Sequence, residues 1–207
     1  MKKFYDVTLP IENGMKVYPG DMNVSIDRIA KIEDDGCDVR ELHFSSHVGT
    51  HIDAPCHFIE GAKTLDDMSF DLMVGEVQVV ETDADVIDRK VLKNLKIDYW
   101  KVIFFKTKNG ALWSLDKFSE NFVSLTKDAA EFLVEKGTKL VGIDYFSIET
   151  FHTHEYPVHK KLLGNDIFIV ESLYLNDVPA GRYNLHCLPI RLSRADGASA
   201  RIILQPT

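Results

Sequence analysis

The sequence has few cysteines, no long hydrophobic run and no excess of basic residues. Its three cysteines are odd in number and form no CxxC pair, which argues against a disulfide framework and favours reduced thiols. No apolar stretch approaches the ~20 residues that a membrane-spanning helix needs. The N-terminal segment becomes acidic at Asp6, before the apolar core of a signal peptide can develop. We therefore expect a cytoplasmic protein that does not enter a membrane.

The charge balance argues against a protein that binds nucleic acid. The chain has 24 Lys and Arg residues against 32 Asp and Glu residues, a net charge of −8, and it contains no basic cluster. Its hydrophobic content of 45% is that of an ordinary globular protein, and no change in composition divides the 207 residues. We predict a single domain over residues 1–207.

Strand-like segments dominate the chain. Strands are predicted at 4–9, 22–26, 37–46, 76–82, 101–107, 139–143, 166–171, 183–190 and 200–205. The apolar runs at 102–105 and 167–170 do not alternate with polar residues, so we expect both to be buried on two faces of a sheet.

Helical segments are fewer. Asp85 is predicted to cap a helix over 86–95, and Thr126 to cap one over 127–136 that ends at a left-handed Gly137. A third, short helix is predicted from Pro157, because proline is favoured in the first turn. Many strands and two or three helices predict a β-rich α/β domain with mixed sheets.

The segment 47–57, HVGTHIDAPCH, carries the clearest chemical signal. His47, His51, Asp53 and His57 all stand at odd positions, so an extended segment would direct all four side chains the same way. Imidazole nitrogens and a carboxylate that converge suit Zn²⁺ or Mn²⁺. The spacing of the first two histidines also fits one face of a helix, but Pro55 argues against it. The alternative without a metal is a polar strand whose histidines make hydrogen bonds in the core.

Further ligands are expected between residues 143 and 171. Glu171 ends a buried apolar run, although a lone glutamate there can also be a solvated strand end. His152, His154 and His159 precede it. Spacing alone does not choose between the His152/His154 pair and His159.

The segment 47–57 resembles the HxGTHxDxPxH signature of the cyclase family of metal-dependent hydrolases, which includes the bacterial kynurenine formamidases. The similarity extends to the segments YPGD at 18–21, KLVGID at 139–144 and NDVPAGRY at 176–183. It implies a cyclase-like domain of the swivelling β/β/α type. It also implies assembly as a homodimer or a larger even-numbered oligomer.

The resemblance implies a site for two divalent ions, Zn²⁺ or Mn²⁺. It assigns one ion to His47, His51 and Asp53. Asp53 would be shared with a second ion that is also held by His159 and Glu171. On this similarity His152 and His154 are not ligands and belong to a loop near the mouth of the site.

The resemblance also assigns roles around the metals. His57 matches the catalytic acid and base, and Tyr18 replaces a tryptophan that forms a wall of the aromatic substrate pocket. Tyr145 and Phe146 replace a Thr-Pro pair, and they would either extend that wall or block the pocket. The implied reaction is hydrolysis of an aryl formamide such as N-formylkynurenine to kynurenine and formate. The alternatives are hydrolysis of a cyclic amide or lactone, as by isatin hydrolases, and a metal-binding domain without catalysis.

Overall fold

In the computed structural model of the protein, residues 4–207 are described. The strands in this range are β1 (Tyr5–Asp6), β2 (Ser25–Ala30), β3 (Val39–His43), β4 (His51–Asp53), β5 (Val74–Glu81), β6 (Val102–Lys106), β7 (Leu140–Ile143), β8 (Phe168–Glu171), β9 (Gly181–Pro189) and β10 (Gly197–Pro206). The helices are α1 (Ile32–Asp35), α2 (Phe70–Met73), α3 (Arg89–Asn94), α4 (Lys127–Glu135) and α5 (Pro157–Leu163), with 3-10 turns at Pro55–His57, Leu65–Asp67 and Lys108–Ser114. The predictions for the N-terminus concern in part residues 1–3, which lie outside the described range.

Seven strands close into a barrel-like ring. Strand β10 pairs with both β4 and β9, and the order around the ring is β10, β4, β8, β7, β6, β5 and β9. Strands β5 to β8 run parallel, the remaining pairs of the ring are antiparallel, and β1 adds to the edge of β10. Strands β2 and β3 form a separate exposed hairpin. The predicted β-rich α/β fold with mixed sheets is confirmed.

The parallel strands are buried on both faces. Val102 and Phe104 belong to an apolar cluster that includes residues of every strand in the ring, so they point inward. Ile103 and Phe105 belong to a second cluster, outside the ring, that contains residues of α3, α4 and α5. Full burial of such side chains stabilises a fold by about 1.5–3 kcal/mol each. The expectation of two-sided burial is confirmed for both apolar runs.

Two of the three predicted helices form close to their predicted bounds. The Thr126 hydroxyl accepts a hydrogen bond from the Ala129 amide at the start of α4, and Gly137 has a φ of 76° beyond its end. Helix α5 begins at Pro157 as expected. The four-residue helices α1 and α2 are too short to produce a periodic signal, and the sequence did not predict them. Within residues 4–207, no helix has the length and apolar character that crossing a bilayer requires.

The predicted start of the first long helix is wrong. Helix α3 begins at Arg89, and Asp88, not Asp85, accepts the capping hydrogen bond from the Val91 amide. The reason is tertiary, because Ile87 forms a parallel β-bridge with Leu125. This pairing holds the preceding residues extended. All nine predicted strand segments overlap a strand, although several boundaries differ by a few residues.

Candidate metal centre and its cavity

The segment 47–57 is not a single extended strand, so that part of the prediction is wrong. Only His51–Asp53 forms a strand, Gly49 has a left-handed φ of 61°, and Pro55–His57 forms a 3-10 turn. A left-handed glycine reverses the chain direction locally, and proline is favoured at the start of a helical turn. The four side chains nevertheless converge. Strand alternation directs His51 and Asp53 to one face, and the turns before and after this strand bring His47 and His57 to it.

Strand alternation directs two of the donors out of the ring. Ile52 belongs to the interior cluster, so its neighbours His51 and Asp53 face outward. On the adjacent strand β8, Glu171 pairs directly with His51. Helix α5 packs over this outer face and places the buried His159 against both strands.

Two clusters of possible metal donors share Asp53. In the first, the Asp53 Oδ1 atom lies 2.8 Å from His47 Nδ1 and 3.2 Å from His51 Nε2. In the second, the Asp53 Oδ2 atom lies 4.0 Å from His159 Nε2, which is 3.2 Å from Glu171 Oε1. Within each cluster the donor atoms all lie within 4.8 Å of one another. The carboxylate therefore turns one oxygen toward each cluster.

The outer nitrogens of two histidines are fixed by hydrogen bonds. His51 Nδ1 donates to the Gly49 carbonyl over 2.8 Å, and His159 Nδ1 donates to Glu149 Oε2 over 2.7 Å. These bonds leave both Nε2 atoms free to face the carboxylates, an arrangement typical of metal-binding histidines. Glu171 is held by the Ile148 amide, 2.8 Å from Oε1. The donor set fits a divalent cation.

Two carboxylates in this region, those of Glu149 and Asp196, were not predicted from the sequence. Glu149 also accepts hydrogen bonds from the backbone N–H groups of Val158 and His159. It therefore caps α5 and at the same time orients the ring of His159. Asp196 lies 2.9 Å from His47 Nε2. Neither residue stands at a regular spacing from the histidine signature, so no local pattern could have indicated it.

The donor clusters line a cavity of about 360 Å³. Its aromatic lining consists of Tyr18, Phe58, Phe146 and Tyr156, so the expected wall residue does face the site. Burial, with Glu171 nearby, raises the pKa of the Tyr18 hydroxyl to about 12, so it stays protonated. A larger groove of about 900 Å³ elsewhere on the molecule has no histidine in its lining.

Tyr145 and Phe146 contribute to the wall of the cavity in different ways. Tyr145 is fully buried, and its hydroxyl oxygen accepts a hydrogen bond from the Ser119 amide. Phe146 lines the cavity and packs against Trp113 at a centroid distance of 4.8 Å. One residue therefore supports the wall from behind and the other extends it.

The histidines of the neighbouring loop lie outside the two clusters. His152 and His154 are exposed, and His152 lies 3.7 Å from Glu120 in a different depression. Their loop still borders the site, because Phe151 contacts Tyr18 at a centroid distance of 5.7 Å.

Charge pairing keeps the buried carboxylate ionised. Burial alone would raise the pKa of Asp53, but hydrogen bonds from His47 and His51 hold it well below its usual value. Burial alone would lower the pKa of His47, and its hydrogen bond to Asp53 instead raises it to about 9. The same competition, with Glu149 as the main partner, raises the pKa of His159 to about 10. By contrast, burial lowers the pKa of His57.

The barrel-like fold and the buried histidine–carboxylate clusters define a class of α/β proteins that can bind divalent metals. A family model described as "Putative cyclase" matches residues 5–150, which include the whole histidine signature. The chain belongs to this cyclase family, as the resemblance predicted. His159 and Glu171 lie beyond the matched segment.

Full-length relatives agree with the family assignment. The chain is 31% identical over 206 residues to proteins named kynurenine formamidase from Bacillus cereus and Bacillus anthracis, covering 99% of this chain and 98% of each relative. A solved structure described as a potential metal-dependent hydrolase with cyclase activity is 34% identical, with a TM-score of 0.86 and coverage of 100% of this chain and 99% of the other.

Two further structures extend the comparison. A predicted metal-dependent hydrolase from Bacillus stearothermophilus is 33% identical, has a TM-score of 0.86, and matches over 99% of this chain and 98% of its own. An isatin hydrolase bound to the product analogue thioisatinate is 19% identical, with a TM-score of 0.84 over 99% of this chain and 92% of its own. At that identity the second similarity concerns the fold alone.

We expect metal binding to release protons. Without a cation, the raised pKa values of His47 and His159 keep both rings protonated near neutral pH, and a bound metal must displace those protons. Metal affinity should therefore rise with pH, by about tenfold per pH unit for each proton released, until the pH reaches these values. Calorimetric titration in two buffers of different ionisation enthalpy counts the protons. Affinity that does not change across the neutral range would contradict this expectation.

Proposed function

We propose that this member of the cyclase family, a hydrolase that acts on amide C–N bonds, hydrolyses an aryl formamide with the help of two divalent ions. N-formylkynurenine is the specific substrate proposed. The observation that carries the proposal is the pair of donor clusters that share Asp53, next to His57 in an aromatic cavity. The relatives named kynurenine formamidase, similar over the full chain, support the choice of substrate.

The residues present fit two cations. His47, His51 and one oxygen of Asp53 would hold the first, and the other oxygen of Asp53, with His159 and Glu171, would hold the second. Imidazole and carboxylate donors suit both Zn²⁺ and Mn²⁺. Zn²⁺ is the metal that we propose, with Mn²⁺ as the alternative. When bound, such ions act as Lewis acids that lower the pKa of water and polarise a carbonyl.

His57 is suited to move a proton in this cavity. Its side chain is 29% exposed, and its lowered pKa leaves the ring neutral at pH 7, so it can accept a proton. Amide hydrolysis needs a group that first takes a proton from water and then returns it to the leaving nitrogen. A histidine can do both because a neutral imidazole accepts a proton and the resulting imidazolium donates it.

The cavity favours a flat aromatic leaving group. A formyl group is small, so selectivity has to come from the aryl part, and Tyr18, Phe146 and Tyr156 offer ring surfaces for it. Tyr18 is itself held in place by Phe118 and Phe151, at centroid distances of 5.5 and 5.7 Å. Among residues 4–207, no lysine or arginine lines the cavity. The substrate therefore binds mainly through its ring.

Hydrolysis of a cyclic amide or lactone on the same centre is the second candidate. The fold similarity to an isatin hydrolase keeps it open. We rank it second because this chain has a glutamate at position 171, where a glutamine would favour the isatin type. A metal-binding domain without catalysis ranks third, since it would have no use for His57 in the cavity.

Asp53 is the residue on which metal binding should depend most. Replacing Asp53 with alanine removes one donor from each cluster, so we expect both ions to be lost. Metal analysis of the purified variant by mass spectrometry measures this loss. Two ions per chain at wild-type affinity would exclude a shared carboxylate.

The matched control is His152→Ala, which removes an exposed histidine outside both clusters. It should keep the full metal content. Loss of one ion there would mean that the wrong histidine has been assigned.

His57→Ala should separate chemistry from metal binding. We expect the variant to retain its metals and to lose roughly 10²–10⁴-fold in turnover, the usual effect of removing a general acid–base group. Steady-state kinetics on N-formylkynurenine, together with metal analysis, tests this. If metal content and activity fall in proportion, His57 is a ligand instead.

Tyr18→Ala should weaken substrate binding without removing metals. Aromatic stacking of bases on proteins contributes about 1–3 kcal/mol, so KM for N-formylkynurenine should rise roughly five- to two-hundred-fold. Tyr18→Phe keeps the ring and should stay near the wild type, and Phe70→Ala removes an exposed aromatic residue that does not line the cavity. A metal-loaded enzyme that opens a cyclic amide but hydrolyses no aryl formamide would leave only the second candidate.

The assembly and location of the protein remain predictions. We propose a homodimer or a larger even-numbered oligomer in the cytoplasm. The hairpin of β2 and β3 supports an assembly, because a two-stranded sheet is marginal in water by itself. Its strands expose Ile29 and Leu42, and α1, which connects them, exposes Ile32.

A further inference from the structure

We infer that Asp196 is the positioning residue of His57. Asp196 and the stacked ring of His47 together hold the His57 ring so that one of its edges faces the cavity. This inference rests on the proposed function, in which His57 moves the proton. Asp196 directly precedes β10. Its carbonyl accepts a hydrogen bond from the Ala54 amide over 2.8 Å, and the next residue, Gly197, pairs with Asp53. The backbone of Asp196 is therefore fixed to the strand that carries the metal donors.

The carboxylate of Asp196 reaches two histidines and a serine. Its Oδ2 atom lies 2.9 Å from His47 Nε2 and 3.5 Å from His57 Nδ1, and the Ser46 hydroxyl donates to Oδ1 over 3.1 Å. The two imidazole rings stack on each other, with centroids 4.0 Å apart and an angle of 29° between the planes. The 3.5 Å contact is longer than a usual hydrogen bond, as is common for catalytic hydrogen bonds before substrate binds.

The backbone leaves room for this arrangement only because residue 197 is a glycine. A Cβ atom there would lie 2.7 Å from His47 Cε1. The His47 ring therefore rests directly on the chain that follows Asp196.

The protons on the rings follow from these contacts. A neutral imidazole has one nitrogen that donates and one that accepts. If His47 offers Nδ1 to the cation beside Asp53, its Nε2 carries the hydrogen and donates to Asp196. The same carboxylate oxygen can accept a second hydrogen, from His57 Nδ1.

The contact with Asp196 fixes the tautomer of His57. With Nδ1 as the donor to Asp196, the lone pair is on Nε2, at the opposite edge of the ring, where a proton can be accepted. A base oriented by a third group in this way is a recurring catalytic arrangement. Among the residues that the structure describes, Asp196 is the nearest carboxylate partner of His57, since its ion pair is the one shorter than 4 Å.

A third cation is the competing explanation for the same cluster. His47, His57 and Asp196 have donor atoms within 4.8 Å of one another. A cation there would need His47 to bind metals through both nitrogens, which requires loss of both ring protons. Asp196 is also 46% exposed, unlike the nearly buried Asp53. The experiment below separates the two explanations.

The test is a double-mutant cycle on the metal-loaded enzyme. Asp196→Asn should lower kcat about 10- to 100-fold, the usual effect of removing the partner of a functional histidine. KM should stay near the wild type. The comparison is made at saturating metal, where both ions should remain bound, because Asp196 also contacts the proposed ligand His47. In the His57→Ala background, Asp196→Asn should cause no further loss, because the residue acts through His57.

The matched control is Asp66→Asn. Asp66 accepts the Arg194 amide over 2.9 Å, so it braces the same loop as Asp196 without contacting either histidine. It should leave kcat unchanged. An equal loss in both variants would assign the effect to the loop.

A second measurement does not depend on activity. Long-range ¹H–¹⁵N spectra of histidine-labelled enzyme, with His57 assigned from the His57→Ala variant, should show the Nδ1–H tautomer in the wild type and a change of tautomer in Asp196→Asn. If the wild-type enzyme hydrolyses no amide but the tautomer still changes in Asp196→Asn, the proposed function is rejected and the positioning role is retained. Three results would overturn the inference. They are an unchanged tautomer in Asp196→Asn, loss of a metal ion in that variant, and a double variant whose loss in kcat equals the product of the two single losses.

Discussion

Asp53 places a buried negative charge between two groups of possible metal donors. The residue is 1% exposed and belongs to a central strand of the closed sheet. Removing the partner of a buried charge costs about 3–5 kcal/mol, so such a group persists only where opposite charges or cations surround it. His47, His51 and His159 do so here, and each approaches from a different element of the chain. The fold around Asp53 is therefore also a means of assembling donors.

The ring of strands makes this assembly rigid. Ile52 faces the interior cluster and locks β4 between β10 and β8, so the two residues beside it must face the outer layer. Helix α5 then closes the layer and orients His159, whose outer nitrogen Glu149 holds. The same carboxylate caps the helix backbone, so the position of the donor and the start of the helix depend on one residue. Packing and donor geometry are coupled in this way.

The chemistry of the cavity changes over a short distance. On one side, charged donors are almost fully buried, whereas on the other, Tyr18 and Phe146 present apolar rings that other aromatic residues support. His57 lies between the two regions and is partly open to solvent. A group that exchanges protons with water needs that access, whereas a site that holds cations benefits from exclusion of competing water. The cavity provides both because its donors come from strands and its rim comes from loops.

Sequence alone was enough to predict the strand-rich α/β class, the two-sided burial of residues 102–105 and the cap at Thr126. It also predicted that His47, His51, Asp53 and His57 converge, although not the turns that bring them together. These features depend on local periodicity, on single-residue preferences and on a compact signature. Choosing His159 and Glu171 over His152 required a family resemblance, because spacing did not discriminate among them. Three features could be seen only in the folded chain: His57 lies on a 3-10 turn, α3 starts after the bridge at Ile87, and Glu149 and Asp196 contact the histidines. Asp196 is 149 residues from His47 along the chain and meets it only when β10 pairs with β4, a contact that no local pattern encodes.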